Sequence, residues 1–346
     1  MNTQQVSTLS EKKKFKLTIK GVALLLVPLF ILATCMTLFY FTPTTTPSDL
    51  FEAITNYNPD ELKHYVLLEI KAPRIIGAMI VGALVSIGGA VMQGITRNYL
   101  ASPDVVGVDN GAALGLSIAM AITGGTTSYV ENIMFSMVGA CISTIIIFAV
   151  SSKLKGREAG VKLLLAGTAI GMLFSAITTS INIFSELGQS INIWNNSGLL
   201  GIKWVAILIL MMGVVGAIIA FIIAPRITVL GMGEETAVSL GENVARTKTL
   251  GVISVVLISA ATVCTVGSIG FVGLVIPNMV KMAVGEDYKK VIPLSAFFGS
   301  LLIVLADVVS RLVNQPAETP LGTITSIIGI PIFLYLINSK KSRGIE

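Results

Sequence analysis

The residues that carry most enzyme and metal chemistry are scarce in this sequence of 346 residues. It has a single histidine, His64, and three cysteines. Cys35, Cys141 and Cys264 all fall inside apolar runs, so we interpret them as small buried hydrophobes and expect no disulfide framework. Because the sequence has no cluster of cysteine and histidine, we expect neither a dedicated site for a bare transition metal nor a cofactor.

Motifs for ATP hydrolysis and for covalent catalysis are also missing. The sequence contains no G-x-x-x-x-G-K-[ST] stretch, so it has no P-loop for ATP. No nucleophile elbow, metal-binding helix motif or pair of carboxylates stands out within the apolar runs. We therefore expect a protein that performs no bond chemistry of its own.

Charge is low throughout the chain. Charged residues make up 12% of it and hydrophobic residues 53%, and the mean hydropathy is +0.85. A soluble domain carries about 25% charged residues. Repeated uncharged runs of about 20 residues are typical of membrane-spanning helices. The composition therefore predicts an all-α polytopic membrane protein without a separate soluble domain.

The apolar runs number about ten, which predicts about ten transmembrane helices. The eighth run is too short for a straight crossing and contains Pro277, so we expect a partial or broken span that is surrounded by protein. In chain order, the runs are Gly21–Phe41, Ile75–Ile95, Val105–Ile122, Ile133–Ser151, Leu163–Phe184, Trp204–Ala224, Leu250–Val266, Phe271–Val284, Ile292–Val313 and Gly322–Ile337.

The distribution of lysine and arginine predicts the orientation. If the chain starts in the cytoplasm and alternates through ten spans, 19 of the 24 basic residues lie inside and 5 outside. This bias follows the positive-inside rule, so both termini are predicted to be cytoplasmic. Residues 1–20 then form a basic cytoplasmic segment, 21–338 a single transmembrane domain and 339–346 a cytoplasmic tail. The five outside residues are Lys63, Lys71, Arg74, Lys203 and Arg311.

Two stretches share a texture of small residues: GALVSIGGAVMQG at Gly82–Gly94 and AATVCTVGSIG at Ala260–Gly270. Small residues allow helices to approach closely in lipid. Because five spans separate the two helices, a repeat built on them would be inverted in the membrane. The sequence therefore predicts an inverted-repeat arrangement.

A polar segment at 225–248 separates two long uncharged runs and is predicted to be cytoplasmic. It contains a short predicted helix with Glu234 and Glu235 in its first turn, an apolar side at Ala237, Val238 and Leu240, and Gly241 as a stop. Two interpretations stand at this point: a connector at the membrane surface, or a helix that docks onto a soluble partner.

The turn between the second and third runs also has two interpretations. Ser102 is suited to cap the third helix, with Pro103 in its first turn and Asp104 at its positive end. The turn is either a well-made hairpin or part of a cytoplasmic gate, in which Asn98 and Leu100 close a central path.

Charges near the outer ends of the runs complete the set of candidate sites. Asp307 lies four residues before Arg311 on one helix face, which favours a structural ion pair over a proton relay. Lys71, Arg74 and Arg311 are either interfacial anchors or receivers of acidic residues from an extracellular partner.

Several stretches together resemble one family, the FecCD-type permease subunits of type II ABC importers for iron–siderophores, haem and cobalamin. They run in order over nearly the whole chain: KAPR at Lys71–Arg74, the glycine-rich stretch through RNYLASPD at Gly82–Ala112, LLLAG at Leu163–Gly167, LGMGEETAVSLG at Leu230–Gly241, GSIGFVGLVIP at Gly267–Pro277, ADVVSR at Ala306–Arg311, and QPAETPLG at Gln315–Gly322.

This resemblance implies two permease subunits, identical or paralogous, around one central path, two cytoplasmic ATPases and an extracellular substrate-binding protein. It implies that the Leu230–Gly241 helix inserts into a groove on the ATPase through Leu230, Gly231, Gly233, Glu234, Glu235, Ala237, Leu240 and Gly241. It also implies that Lys71 and Arg311 meet the binding protein and that Asn98 and Leu100 belong to the gate.

The chain departs from the family pattern at four positions. Lys71 replaces a frequent arginine, Tyr99 the usual proline, Asn278 a common histidine and Lys281 a common arginine. We expect an iron–siderophore importer permease in the bacterial cell membrane, with haem or cobalamin as alternative substrates. A secondary transporter driven by an ion gradient is the alternative from another class, and it would depend on Asp307 or Glu318.

Overall fold

The computed structural model describes residues 28–40, 45–103, 107–153, 159–196, 198–315 and 317–341, and within these ranges all regular structure is helical. The helices are α1 (Pro28–Phe39), α2 (Pro47–Thr55), α3 (Leu62–Thr96), α4 (Val108–Thr123), α5 (Tyr129–Lys153), α6 (Ala159–Ser185), α7 (Gly188–Asn195), α8 (Trp204–Gly231), α9 (Glu234–Ser239), α10 (Val244–Val266), α11 (Val272–Val284), α12 (Tyr288–Val313) and α13 (Leu321–Lys341).

Each predicted apolar run coincides with an apolar helix of the described residues. Six helices are long and apolar enough to cross a membrane: α3, α5, α6, α8, α10 and α12. The other four runs coincide with the shorter apolar helices α1, α4, α11 and α13. The number of crossings, the inverted repeat, the orientation of the termini and the division at residues 20 and 338 stay predictions. Residues 1–27 and 342–346 lie outside the described ranges.

Helix α3 is the central helix of the structure. Of its most apolar 18 residues, 78% are buried, the highest share among the six long helices. It packs against α8, α10, α11 and α12. A π-helical stretch at Val66–Lys71 lies in its first part, and Arg97, in the left-handed conformation at φ 53°, ends it.

Small residues set how closely α3 approaches its neighbours. A Cβ atom added to Gly82 would lie 2.3 Å from the carbonyl oxygen of Gly299 on α12. One added to Gly89 would lie 1.8 Å from the carbonyl oxygen of Gly273 on α11. The helix backbones are therefore in direct contact at both crossings, as the glycine-rich stretch predicts. Dispersion contacts between the backbones hold the helices together there.

The eighth apolar run forms a short helix, α11, that is largely buried in the protein. Helix α11 has 13 residues, about 20 Å by the rise of an α-helix, and eight of the 13 are buried. The prediction of a short, largely buried segment is confirmed, whereas its role as a partial span stays a prediction. The helix is short but not broken, because it continues through Pro277, and its start follows Phe271 at φ 68°.

Helix α6 is the least covered of the long helices, with 17% of its most apolar window buried. Two of its hydroxyls are partnered within the helix: Thr179 Oγ1 donates to the carbonyl oxygen of Ser175 at 2.9 Å, and Ser180 Oγ donates to that of Ala176 at 2.9 Å. The buried hydroxyls of Thr178 and Ser185 have no hydrogen-bond partner within the described residues. An uncovered helix face with several hydroxyls must meet lipid, water or another protein.

Candidate functional site

Helix α9 lies in the polar segment and begins at Glu234, later than the Leu230 start that the family resemblance implies. Helix α8 does not end before the segment but continues through Pro225 to Gly231, so Leu230 and Gly231 belong to the end of α8. Helix α9 then spans six residues, from Glu234 to Ser239, with Gly233 before it at φ 122°. Both predicted glutamates lie in its first turn, where they complement the helix dipole.

The end of α9 is a Schellman motif centred on Gly241, the residue predicted to stop it. Gly241 has φ 81°, a conformation that a side chain would strain. Its N–H donates to the carbonyl oxygen of Val238 at 2.9 Å, and the N–H of Glu242 donates to that of Ala237 at 2.9 Å. These two bonds satisfy the last carbonyl groups of a helix too short to be stable alone.

The predicted apolar side of α9 is divided between the inside and the outside of the protein. Ala237 and Leu230 are fully buried, at 0% exposure, and anchor the segment to the rest of the chain. Leu240, Val238 and Met232 are 65%, 62% and 63% exposed. We call Met232, Val238 and Leu240 the α9 apolar patch. On α9, Leu240 and the two glutamates are therefore accessible to a partner, whereas Ala237 is not.

Charges tie the segment to its neighbouring helices. Lys248 Nζ on α10 lies 2.6 Å from Glu234 Oε1. Thr247 Oγ1 donates to Glu242 Oε1 at 2.5 Å. Exposed ion pairs of this kind contribute about 0–1 kcal/mol each. The Lys248–Glu234 pair therefore orients α9 against α10 more than it stabilises the segment.

The predicted gate turn is a compact turn shaped by Asn98. Arg97 has φ 53° and ends α3. Asn98 Oδ1 accepts a hydrogen bond from the backbone N–H of Leu100 at 2.9 Å, and the Asn98 carbonyl accepts one from Ala101 N at 3.1 Å. Leu100 is 53% exposed. The turn thus presents an apolar side chain on a backbone that its own asparagine fixes.

The prediction that Ser102 caps the third helix is wrong. Helix α4 begins at Val108, and its N-cap is Gly107 at φ 75°. Ser102 is 4% exposed, and Pro103 is also buried beside Gly88 of α3. Pro103, which local rules assign to the first turn of α4, therefore packs against α3 instead. Asp104 lies outside the described residues.

Side-chain hydrogen bonds fasten the gate turn to α11. Gln93 Nε2 donates to the carbonyl oxygen of Leu274 at 3.2 Å, and its Oε1 accepts from Lys281 Nζ at 2.6 Å. Asn278 Nδ2 donates to the carbonyl oxygen of Tyr99 at 2.9 Å. Three of the four departures from the family pattern, Tyr99, Asn278 and Lys281, therefore lie in one contact region.

Four charged side chains form a cluster between α3, α12 and the loop before α13. Arg74 Nε and Nη2 lie 3.0 and 2.8 Å from Asp307 Oδ1. Arg74 Nη1 and Nη2 lie 2.8 and 2.6 Å from the two carboxylate oxygens of Glu318. Arg311 Nη2 lies 2.5 Å from Asp307 Oδ2. Two arginines and two carboxylates balance in charge, and we call them the charged cluster.

The charged cluster is buried, so its members depend on one another. The side chains of Asp307, Arg311 and Arg74 are 3%, 8% and 11% exposed, and that of Glu318 is 26% exposed. Removing one partner of such a buried pair costs about 3–5 kcal/mol, because the other charge is left uncompensated. The sequence predicts the Asp307–Arg311 contact, but it assigns Arg74 to a partner and misses its two carboxylates.

A cavity of about 650 Å³ opens beside the charged cluster. Arg74, Asp307 and Glu318 line one part of it, and Gln189 and Asn192 of α7 line another. The carboxamides and charges give this cavity a polar wall.

The predicted docking cations point into the protein. Lys71, Arg74 and Arg311 are 5%, 9% and 8% exposed. Lys71 Nζ donates to the carbonyl oxygen of Leu38, at the end of α1, and to Thr45 Oγ1 at 3.3 Å. An ammonium group at the C-terminal end of a helix is stabilised by the helix dipole. A role in docking stays a prediction and requires these side chains to move outward.

Asp109 is a residue that the sequence analysis missed. It lies inside the third apolar run, in the first turn of α4, and its side chain is close to Ser268 before α11. Its Oδ1 atom is buried and has no hydrogen-bond partner within the described residues. A carboxylate inside a span is by itself a signal of function, so the sequence contains the information needed to single it out.

The described residues contain no group of three or more His, Cys, Asp and Glu side chains that could hold a metal ion. All three cysteines are free: Cys264 in α10 is buried as predicted, whereas Cys141 in α5 is only partly buried and Cys35 in α1 is exposed on this chain, so the prediction of burial is wrong for Cys35.

Comparison with known proteins gives a consistent set of relatives. A profile of the FecCD transport family matches residues 29–339. The chain is 40% identical to the iron(3+)-hydroxamate import system permease protein FhuB of Bacillus subtilis (strain 168), over 86% of this chain and 77% of that protein. It is 36% identical to the Fe(3+)-citrate import system permease protein YfmD of the same organism, over 81% and 83%.

Relatives with a different cargo and a solved structure also match. The cobalamin import system permease protein BtuC of Halobacterium salinarum is 35% identical, over 85% of this chain and 79% of that protein. A structure of a metal-chelate type ABC transporter in an inward-facing conformation aligns with a TM-score of 0.79 at 26% identity. It covers 92% of this chain and 99% of that one.

Proposed function

The chain belongs to the FecCD transport family, and from that premise we propose that it is the permease subunit of an ATP-driven importer that carries an iron–siderophore complex. It is a multi-pass protein of the bacterial cell membrane. An extracellular binding protein delivers the complex, and the permease provides the path. ATP hydrolysis takes place on a separate cytoplasmic ATPase, because the sequence has no P-loop.

The observation that carries the proposal is the shape of the α9 segment. A six-residue helix with a Schellman motif presents three exposed apolar side chains, Met232, Val238 and Leu240, while Ala237 and Leu230 hold it in place. Exposed apolar residues on a rigid, polar-flanked support are typical of a protein interface. We propose that this patch, with Glu234 and Glu235, enters a groove on the ATPase and transmits its movement.

A second permease subunit, a copy of this chain or a paralogue, would cover surfaces that one chain leaves open. Helix α6 is the obvious candidate, because only 17% of its apolar window is buried and it carries hydroxyls. A path between two such subunits would have a wall of small and polar groups. That wall suits a bulky chelate that must pass without tight binding.

Sequence similarity favours an iron–siderophore substrate. The hydroxamate relative is 40% identical, whereas the cobalamin relative is 35% identical. Haem and cobalamin remain the alternative substrates, since the difference in identity is small. Uptake of radiolabelled ferric hydroxamate, ferric citrate, haem and cobalamin into proteoliposomes distinguishes these four directly.

An ion-coupled secondary transporter is the alternative from another class. It needs a carboxylate within the membrane that can take up and release a proton or bind an ion. Both oxygens of Asp307 accept hydrogen bonds from arginine, and Glu318 shares Arg74 with it. Both carboxylates are thus already bonded to arginine partners within the chain, which supports the structural role over the relay.

The test of the proposed function is a substitution in the α9 apolar patch. Burying the exposed 65% of Leu240 against a partner contributes about 1–2 kcal/mol. We therefore expect Leu240→Ala to weaken association with the co-expressed ATPase about 5–30-fold. Leu240→Arg should weaken this association further and should stop uptake. The matched control Leu240→Met keeps the apolar area and should bind and transport normally. Normal assembly and uptake with Leu240→Arg would refute docking by this patch.

A further inference from the structure

The gate turn and the base of α9 are connected through one aromatic side chain, Tyr99. Its hydroxyl donates a hydrogen bond to the carboxylate of Glu286, which lies in the short loop between α11 and α12. Its ring faces Lys281 of α11, whose Nζ lies 4.8 Å from the ring centroid. Its backbone carbonyl accepts from Asn278 at 2.9 Å. Tyr99 therefore holds the gate turn to α11 and to the loop that follows it by three different groups.

The other side of that loop contacts the end of α8. The backbone N–H of Tyr288 donates to Thr228 Oγ1 at 2.9 Å. The second carboxylate oxygen of Glu286, Oε2, lies 3.9 Å from the place where a Cβ on Gly231 would be. Gly231 is the last residue of α8, and α9 begins three residues later. The short segment from Glu286 to Tyr288 is thus bonded to Tyr99 on one side and to the end of α8, just before α9, on the other.

Lys281 makes this connection stiff. Its Nζ is bonded to Gln93 Oε1 at 2.6 Å and lies between two rings, 4.8 Å from the centroid of Tyr99 and 5.7 Å from that of Tyr288. The residue is 7% exposed. Because a partly desolvated ammonium group between two aromatic faces is attracted to both, displacement of either ring is opposed. Lys281 therefore holds the end of α3, α11 and the start of α12 together at this level.

The chemistry of Tyr99 keeps the hydrogen bond in place at physiological pH. Burial and the adjacent Glu286 carboxylate raise the pKa of the Tyr99 hydroxyl to about 12. The hydroxyl is therefore protonated and remains the donor, with a carboxylate as acceptor. A charge-assisted bond of this kind is stronger than a neutral one.

We propose that Tyr99 and Glu286 form the link through which movement of α9 reaches the gate turn, so that Tyr99 is a positioning residue for opening and closing at Asn98 and Leu100. The inference rests on the proposed function, in which α9 follows the ATPase. It adds the route: from α9 to the end of α8, through the Thr228–Tyr288 hydrogen bond to the loop that holds Glu286, and from Glu286 through Tyr99 to the turn. The proline that the family usually has at this position carries no hydroxyl or N–H. Family members with that proline therefore cannot form this hydrogen bond.

The experiment uses the complete importer in proteoliposomes, with Tyr99→Phe, Glu286→Gln and the double variant. Tyr99→Phe keeps the ring over Lys281 and removes only the hydroxyl. We expect assembly with the ATPase to be unchanged and the substrate carried per ATP hydrolysed to fall about fivefold or more, within the usual range for coupling between sites. If both residues act through one bond, the double variant should be no worse than the more affected single variant. Tyr57→Phe, at an exposed tyrosine 44% open to solvent, is the matched control and should transport normally.

Hydrogen exchange separates failure of the link from failure of the proposed function. In the wild-type importer, a non-hydrolysable ATP analogue should change amide protection both at α9 and at residues 97–101. In Tyr99→Phe, the change at α9 should persist and the change at the turn should be lost. If the turn still responds and transport per ATP equals the wild type, the link is refuted while the proposed function stands. If α9 does not respond in the wild type, the proposed function is refuted and the inference falls with it.

Discussion

Replacing Asp307 by asparagine tests the charged cluster, because this carboxylate contacts both buried arginines. Its Oδ1 atom accepts from Arg74 at 2.8 and 3.0 Å, and its Oδ2 atom accepts from Arg311 at 2.5 Å. Asparagine keeps one oxygen but turns an N–H₂ donor toward a guanidinium that has only donors. The two arginines would then share one carboxylate, that of Glu318, and one buried positive charge would be uncompensated.

The size of the effect follows from burial. Asp307 and Arg311 have side chains 3% and 8% exposed, so the broken contact is a buried one, with a cost of about 3–5 kcal/mol. For a chain of this size, that lowers the thermal unfolding midpoint by about 4–7 °C. Glu318→Gln should have a smaller effect, since the Glu318 side chain is 26% exposed and solvent compensates for part of the loss.

The assay is thermal unfolding of the purified protein in detergent at one heating rate, with Asp60→Asn, an exposed aspartate outside the cluster, as the matched control. The charge-balanced double variant Asp307→Asn, Arg311→Gln should recover part of the lost stability. If Asp307→Asn unfolds at the same temperature as Asp60→Asn, the cluster does not stabilise the fold and the reasoning is refuted. Uptake by Asp307→Asn should still require ATP; loss of a pH-driven uptake instead would favour the ion-coupled carrier.

Three further outcomes are expected. Lys71→Gln should lower the affinity for the binding protein and flatten its dependence on salt, relative to Lys63→Gln; equal affinities across a salt series would contradict a docking role. Gly89→Ala, whose Cβ would lie 1.8 Å from a carbonyl oxygen of α11, should destabilise the fold by about 1–3 kcal/mol or more, whereas Gly231→Ala, with its nearest atom at 3.9 Å, should unfold like the wild type. The pKa of Tyr99 is raised in the folded state from 10.0 to about 12, so its contribution to stability is complete below about pH 10 and is lost as the pH rises toward 12; an alkaline titration followed by unfolding should show a smaller loss for Tyr99→Phe.

Hydropathy and local signals predict the helices well, because they depend on neighbours in sequence. Each apolar run coincides with a helix, the short eighth run is a short helix, and Gly241 ends α9 through its positive φ. The same local rules fail where packing takes over. Ser102 has every feature of a helix cap, but it is buried, Pro103 packs beside Gly88 of α3, and α4 begins at Val108.

Contacts between residues far apart in the chain cannot be predicted from local sequence signals. Arg74 and Glu318 are 244 positions apart, and nothing local to either residue indicates the other. The same holds for Tyr99 and Glu286, which are 187 positions apart. The direction of a side chain on a six-residue helix is similarly set by the fold, so the split between buried Ala237 and exposed Leu240 required the structure. Asp109 was within reach, since an acidic residue inside an apolar run is visible in the sequence.

The size of α9 has a consequence for inhibitor design. A synthetic copy of residues 230–242 would be a disordered peptide in water, since six helical residues cannot offset the cost of helix nucleation. In the protein, the segment is already ordered by the burial of Leu230 and Ala237 and by the turn at Gly241. A peptidomimetic aimed at the ATPase groove would therefore need a covalent brace that holds Met232, Val238 and Leu240 in their present arrangement.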